Sequence, residues 1–347
     1  MVDLDSINNL IPLINLSEKN LARLADELEV EKYDKGSVVI KEGDTDNDAL
    51  YLLEGGVELS SDGSALTTVI QGGTDDAISP IAQSRPRQFT VKATTEISII
   101  RIDNARLDRM AILDELTTSI TQIRPVGSKK FAGDSDWLDA MLKNPAFNRL
   151  AQEQLAPLVL KMEPVSLKAG DIIIKQGDVG RFYFVLKQGK ANVSRKDADG
   201  KVKMLATLKE GDVFGEESLI TSADRNASII AMDDVIIMKL AKNDFDELLK
   251  EPLLAYVDKR GAEELVRQGG KLLDVRSVTE YKQGALKSSL NLPVPKLRAA
   301  LDKLDKRIIY IICDRTGIQS EVAAFVMSQR GFDARVLKGG LAALASK

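Results

Sequence analysis

The sequence predicts a protein of three domains: two small β-rolls of the jelly-roll kind, each with flanking helices, then an α/β unit built on a parallel sheet. Three observations carry this. The segment "YDKGSVVIKEGDTDNDALYLLEGGVEL" (33–59) returns as "LKAGDIIIKQGDVGRFYFVLKQGKANV" (167–193) at a constant offset of 134. Helical patterns flank both copies. After about residue 259 short apolar runs alternate with helical patterns.

Taken in order, "SEKNLARLADELEV" (17–30) has leucines at 21, 24 and 28 on one face, with Ser17 placed to cap it. Within the repeat, Gly36, Gly43 and Gly55 match Gly170, Gly177 and Gly189, and Asp44 matches Asp178. Apolar runs of three to five residues lie between these glycines. They read as short strands joined by turns that need positive φ. "ARLDRMAILDELTTSITQI" (105–123) and "NDFDELLKEPLLAYVDKR" (243–260) read as helices after each roll, and "FNRLAQEQLAPLVLKM" (147–162) as the helix entering the second. "RPVGSKKFAGDSD" (124–136) reads as the linker, with Lys129-Lys130 a solvated pair. Trp137 and Phe147 read as helix-packing residues rather than a base-stacking site. In the last part "KLLDV" (271–275), "RIIYIIC" (307–313) and "ARVLKGG" (334–340) are strands, separated by the helical patterns "AEELVRQG", "PVPKLRAALDKL" and "SEVAAFVMSQRG". The domains are expected at 1–130, 131–258 and 259–347.

Composition narrows the chemistry. Of 347 residues 44% are apolar and 29% charged, the net charge is −4 and the pI about 5.3. A mildly acidic chain is a poor partner for nucleic acid, so any phosphate site must be local. There is one cysteine, Cys313, hence no intramolecular disulfide, and a reducing, cytoplasmic setting is expected. No leader segment and no membrane-length apolar run is seen, so no membrane insertion is expected. No histidine is present. That removes histidine-based nucleophile activation and most zinc sites, and no metal is expected.

"GDVFGEESLITSADRNASII" (211–230) sets a carboxylate, Glu216, and a guanidinium, Arg225, nine residues apart. A tight turn at Gly215 followed by a helical turn at Glu216 would present free amides to an anion. Arg225 offers a bidentate fork for a phosphate, whereas Glu216, an acceptor only, suits a sugar hydroxyl. Ser218, Ala227 and Ser228 are small enough for a ligand to approach the backbone. A ribose carrying a phosphate meets all these needs. The segment resembles the phosphate-binding cassette of cyclic nucleotide-binding domains, F-G-E-x-[A/S]-L followed after about five residues by R-x-A-[S/T]. Here it stands as Phe214-Gly215-Glu216-Glu217-Ser218-Leu219 and Arg225-Asn226-Ala227-Ser228, with Asp224 in place of the usual proline. The resemblance implies that Glu216 binds the ribose 2′-hydroxyl and Arg225 the cyclic phosphate. Asn226 could serve either purine, and the family favours cAMP over cGMP. Tyr256, placed in the helix after the roll, is a candidate lid over the base.

The first repeat resembles the same domain with an eroded cassette, "GGTDDAISPIAQSRPRQFTVKA" (72–93). Pro86-Arg87 and Thr90 remain. Ala77 or Ile78 stands where the glutamate belongs, and Phe89 replaces the small residue after the arginine. A degenerate copy kept for packing is expected.

Residues 259–347 resemble the rhodanese fold through Asp274-Val275-Arg276, Glu280-Tyr281, Asn291-Leu292-Pro293, the cysteine loop and Gly339-Gly340-Leu341. The resemblance implies a persulfide-carrying cysteine in a loop of amides, with Cys313 the candidate and Arg315 a source of positive charge. Cys313 to Ser320 is one residue longer than the family loop, and Gln319 stands where a basic residue is usual. Counted back from Ser320, Asp314 takes the nucleophile position and the site is dead. Ala285 and Leu344 replace the family's histidine and tryptophan at positions read as structural. The whole reads as a cytoplasmic, bacterial-type cyclic-nucleotide receptor that signals through its rhodanese-like domain to a protein partner. The alternative is a nucleotide-regulated sulfurtransferase using Cys313. A DNA-binding regulator would need a basic recognition helix after the sensor, where the chain instead runs into the α/β unit.

Overall fold

The computed structural model describes residues 2–62, 67–123 and 135–345. The linker expected at 124–136 lies outside them up to residue 134, together with Lys129-Lys130. The chain divides into two compact units, residues 1–124 and 125–347.

In the first unit Ser17 caps α1 (Glu18–Glu27), its Oγ accepting from the Asn20 amide. The strands are β1 (Glu31–Tyr33), β2 (Val38–Ile40), β3 (Asp48–Glu54), β4 (Gly56–Ser60), β5 (Thr68–Gln71), β6 (Thr90–Ala93) and β7 (Ile97–Asp103), followed by α2 (Asn104–Ile123). Among the described residues they form two antiparallel sheets, ordered β1-β7-β3 and β2-β6-β4-β5. Strand β3 shows why "DALYLL" is so apolar. Ala49 and Tyr51 join Leu24 and Ile100 in the core beneath the helices, while Leu50 and Leu52 join Ile40, Val57 and Ile99 in the core of the roll. Alternate side chains leave opposite faces of a strand, and here both faces are covered.

The second unit opens with α3 (Ser135–Leu142), a 3-10 turn (Phe147–Arg149) and α4 (Gln152–Lys161). Trp137 and Phe147 are both buried here, as packing residues. The second roll comprises β8 (Glu163–Leu167), β9 (Ile172–Ile174), β10 (Phe182–Gln188), β11 (Ala191–Lys196), β12 (Val202–Leu208), β13 (Val213–Phe214), β14 (Ser228–Ala231) and β15 (Val235–Ala241), with α5 (Glu216–Thr221) after β13. Its sheets run β13-β10-β15-β8 and β12-β11-β14-β9. The repeat is faithful in backbone detail. Gly43 and Gly177 have φ of 88° and 91°, a region that side chains with a Cβ rarely adopt. The ladder of β3 shifts register between Leu52 and Glu54, and that of β10 at the equivalent Leu186 and Gln188.

The helix expected over 243–260 ends early. It runs as α6 (Lys242–Phe245), a π turn (Asp246–Lys250) and α7 (Glu251–Leu253). Residues Ala255–Val257 then form β16, paired in parallel with Arg335–Leu337. A partner strand from near the end of the chain satisfies the backbone groups that the local pattern assigned to a helix. Tyr256 therefore lies on an edge strand, its hydroxyl donating to Glu321 at 3.0 Å, and not in a helix over the pocket.

The α/β region continues with α8 (Lys259–Arg267), β17 (Lys271–Asp274), α9 (Val278–Gln283), β18 (Leu290–Asn291), α10 (Val294–Ala300), β19 (Tyr310–Cys313), α11 (Ile318–Ser328), β20 (Ala334–Leu337) and α12 (Gly340–Ala345). The sheet is parallel, ordered β16-β20-β19-β17-β18. Helix α11 packs against α5 of the roll, and its buried Phe325 meets Phe245 and Tyr183 edge-on at centroid distances of 5.3 and 6.4 Å. Lys250 pairs with Glu321 at 2.8 Å and Arg149 donates to the Phe332 carbonyl at 3.0 Å. No helix among the described residues is long and apolar enough to cross a membrane.

Candidate functional site

Gly215 has φ of 91° and opens α5, as the cassette spacing predicts. A Cβ there would lie 2.9 Å from the Arg225 guanidinium and 3.2 Å from the Phe182 carbonyl oxygen, so glycine is needed for space as well as for conformation. Phe214 is buried and stacks on Phe184, centroids 5.3 Å apart. The Arg225 guanidinium lies 5.8 Å from the centre of the Phe184 ring.

Arg225 is buried and donates three hydrogen bonds, to the Gly215 carbonyl (2.6 Å), Ser218 Oγ (2.7 Å) and the Phe182 carbonyl (2.6 Å). All three acceptors are uncharged. Burial pulls its pKa down, against a smaller upward pull from Glu216. Ser218 thus orients the guanidinium as well as being small. Gly180 makes the arrangement possible, since a Cβ there would fall 2.2 Å from Ser218 Oγ. Ser228 Oγ accepts from the Gln176 amide at 3.0 Å and ties the returning strand to the preceding turn. Asn226 is exposed, its carbonyl accepting from Arg195 Nε at 2.7 Å. Glu217 and Ala227 are half-buried.

Glu216 is buried, only 3% exposed. Its Oε1 is held in an ion pair by Arg298 of α10, and its Oε2 is buried without a hydrogen-bond partner. Nothing in the local sequence around 216 points to Arg298, which lies 82 residues on.

The first repeat buries its arginine in the corresponding place but pairs it within the domain. Arg87 donates from Nη2 to the Asp48 carbonyl at 2.7 Å and from Nη1 to the Ala82 carbonyl at 2.6 Å. At the repeat offset Asp48 corresponds to Phe182, so the first of these bonds is the same bond in both copies. But Arg87 also pairs with Asp46 through both carboxylate oxygens, and Asp46 corresponds to Gly180. The hydrogen bond from Arg87 holds the Asp46 carboxyl down at about 2. Thr90 Oγ1 accepts from the Glu42 amide at 3.1 Å, the counterpart of the Ser228 bond. Ala77 is buried in a 3-10 turn (Asp75–Ala77) where the second repeat carries its cassette helix.

In the α/β region the cysteine and the loop part company. Cys313 ends β19 fully buried, in a cluster with Ala262, Ile311 and Leu337. Burial pushes its thiol up to about 12, with the nearby Asp274 adding to the effect. The loop amides face Asp314 instead. Its Oδ1 accepts from the Gly317 amide (2.9 Å), the Ser320 amide (3.1 Å) and Ser320 Oγ (2.5 Å), and its Oδ2 from the Thr316 amide (3.3 Å). Arg315 is exposed on the loop.

Comparison with known proteins agrees with this architecture. Residues 30–112 and 164–251 match the cyclic nucleotide-binding domain family, and residues 256–347 match the rhodanese-like domain family. The chain carries two cyclic nucleotide-binding domains followed by a C-terminal rhodanese-like domain. It is similar to human cGMP-dependent protein kinase 2, 25% identical over 85% of this chain and 36% of that protein. It is also similar to the cAMP-dependent protein kinase regulatory subunit of Blastocladiella emersonii, 26% identical over 77% of this chain and 63% of that one. The chain thus spans about a third of the first relative and under two thirds of the second. Among solved structures, the regulatory domain of Toxoplasma gondii PKA in complex with cAMP aligns at 16% identity and a TM-score of 0.32, covering 77% of this chain and 94% of that one.

Proposed function

We propose that the second roll is a receptor site for one 3′,5′-cyclic nucleotide per chain, cAMP in preference to cGMP, and that the rhodanese-like domain serves as a non-catalytic output module for a protein partner. One observation carries the reading: Arg225 is a buried cation whose hydrogen bonds all go to uncharged acceptors. A buried charge is costly until an opposite charge reaches it. A cyclic phosphodiester brings one negative charge and two outward oxygens suited to a guanidinium fork. Glu216, its charge already matched by Arg298, retains an oxygen for a sugar hydroxyl. The first roll has no such demand, because Asp46 neutralises Arg87 within the domain. The preference for cAMP rests on the family resemblance, with Asn226 in place of a hydroxyl residue.

The output reading rests on Asp314. A bound anion or a persulfide needs the loop amides, and the carboxylate of Asp314 already takes those of Thr316, Gly317 and Ser320. Calorimetric titration of the full chain with cAMP, cGMP and cyclic dinucleotides tests the receptor. One saturable event with cAMP, lost in Arg225→Ala, is expected; binding that survives Arg225→Ala overturns the assignment. Incubation with thiosulfate tests the output domain, and one added sulfur atom, absent in Cys313→Ser, would revive the enzyme reading.

A further inference from the structure

We infer that Arg298, a residue of the rhodanese-like domain, is a positioning residue of the nucleotide site: it holds one oxygen of Glu216 so that the other accepts the ribose 2′-hydroxyl. The inference rests on the receptor reading above. Glu216 is a carboxylate with 3% exposure, which is costly to bury unless its charge is matched and its orientation fixed. Among the described residues the group that matches it comes from outside the roll. Arg298 reaches Oε1 from α10, a helix anchored by the buried Leu297, followed at once by the buried Leu301, and packed on α11. Arg298 itself is half-exposed, so its pairing with Glu216 is not imposed by burial of the arginine. The division of labour on the carboxylate is what makes the contact informative. Oε1 is taken, while Oε2 is buried and unpaired, an acceptor held ready.

A second consequence concerns the output. The cassette helix α5 carries Glu216 and packs against α11, the helix that begins at the Asp314 loop. A ligand that fixes Glu216 therefore also fixes the pair that ties α10 to the roll. Linkage is reciprocal: if Arg298 strengthens nucleotide binding, the nucleotide strengthens the contact with the rhodanese-like domain by the same factor. The nucleotide would thus clamp the output domain onto the roll rather than release it.

The test measures affinities of the full-length wild type, Arg298→Ala, Arg298→Lys and Glu216→Gln for cAMP and for 2′-deoxy-cAMP, with circular dichroism to check folding. The wild type should favour cAMP over the deoxy analogue by about tenfold or more, the scale of a hydrogen bond to a charged group. Arg298→Ala and Glu216→Gln should lose most of that ratio, and Arg298→Lys should keep part of it, since lysine retains the charge without the fork. A residue that merely stabilised the fold would weaken both ligands alike and leave the ratio intact. Hydrogen exchange should show α10 more protected with cAMP than with 2′-deoxy-cAMP. An unchanged ratio in Arg298→Ala, tighter cAMP binding by that variant, or an α10 that loses protection on adding cAMP would each overturn the inference while leaving the receptor reading standing. A wild type that binds neither nucleotide would overturn both.

Discussion

Arg87 and Arg225 occupy equivalent places in two copies of one fold, and only Arg87 has a carboxylate among its hydrogen-bond partners. Both arginines are buried, and both donate to the carbonyl at the start of a seven-residue strand, Asp48 of β3 in one copy and Phe182 of β10 in the other. The position two residues earlier is Asp46 in the first copy and Gly180 in the second. An aspartate there closes the charge balance inside the domain. A glycine leaves the balance open and leaves room for Ser218 to approach. An anion site therefore depends on what is withheld from a cationic group as much as on the group itself. The rhodanese-like loop follows the closed pattern, with Asp314 filling a cradle of amides.

The comparison predicts that the open copy can be closed. Arg225→Ala should weaken cAMP binding by about 2–5 kcal/mol, the loss expected when one member of a buried charge pair is removed. Gly180→Asp should weaken it on the same scale and by more than Gly180→Ala, which crowds Ser218 with the same Cβ but brings no carboxylate, while Arg87→Ala should leave the affinity unchanged; calorimetry reads all four. If Gly180→Asp binds cAMP no more weakly than Gly180→Ala, the charge-balance account fails.

Opening the closed copy should cost stability. Asp46→Asn leaves Arg87 buried among uncharged acceptors and should destabilise the first roll by about 1–3 kcal/mol, read from hydrogen exchange at β2 and β6. The value is kept modest because the Asp46 side chain is 34% exposed and screened by water. Unchanged exchange would show that the pair contributes nothing.

A smaller effect lies in the acid range. Asp46 is held at about 2 in the fold against 3.8 for the free side chain. A depressed carboxyl contributes stability that is complete above about pH 4 and is lost as pH falls through 3.8 towards 2. Acid unfolding of the first roll should therefore begin at higher pH in Asp46→Asn. Identical acid profiles would remove the pair from the account.

The smallest effect is expected at Cys313. With its thiol buried and raised to about 12, alkylation by iodoacetamide at neutral pH should be negligible until the domain unfolds. Cys313→Ser should leave cAMP affinity unchanged. Rapid labelling of the folded chain would show a thiol that the fold exposes.

Much of this was legible along the chain, because it is written in local pattern. The glycine turns at a fixed offset, the Ser17 cap and the short apolar runs between the turns depend on neighbours in sequence. So do the cassette turn at Gly215 and the short strands of the α/β region. Asp46 stands opposite Gly180 in the repeat alignment, but nothing in the sequence singled that difference out before Arg87 was seen to fold onto Asp46. Asp314 could be weighed against Cys313 by counting from Ser320, but only the closed loop showed which of the two met the amides. Other features had no local signal at all. Ala255–Val257 left the helical pattern because a strand remote in sequence, Arg335–Leu337, offered them a ladder. Arg298 reached Glu216 across a domain boundary, from a helix whose own pattern reports only its packing face. Local sequence determines which conformations and charges are available; which charges meet is decided by long-range packing, where no spacing rule applies.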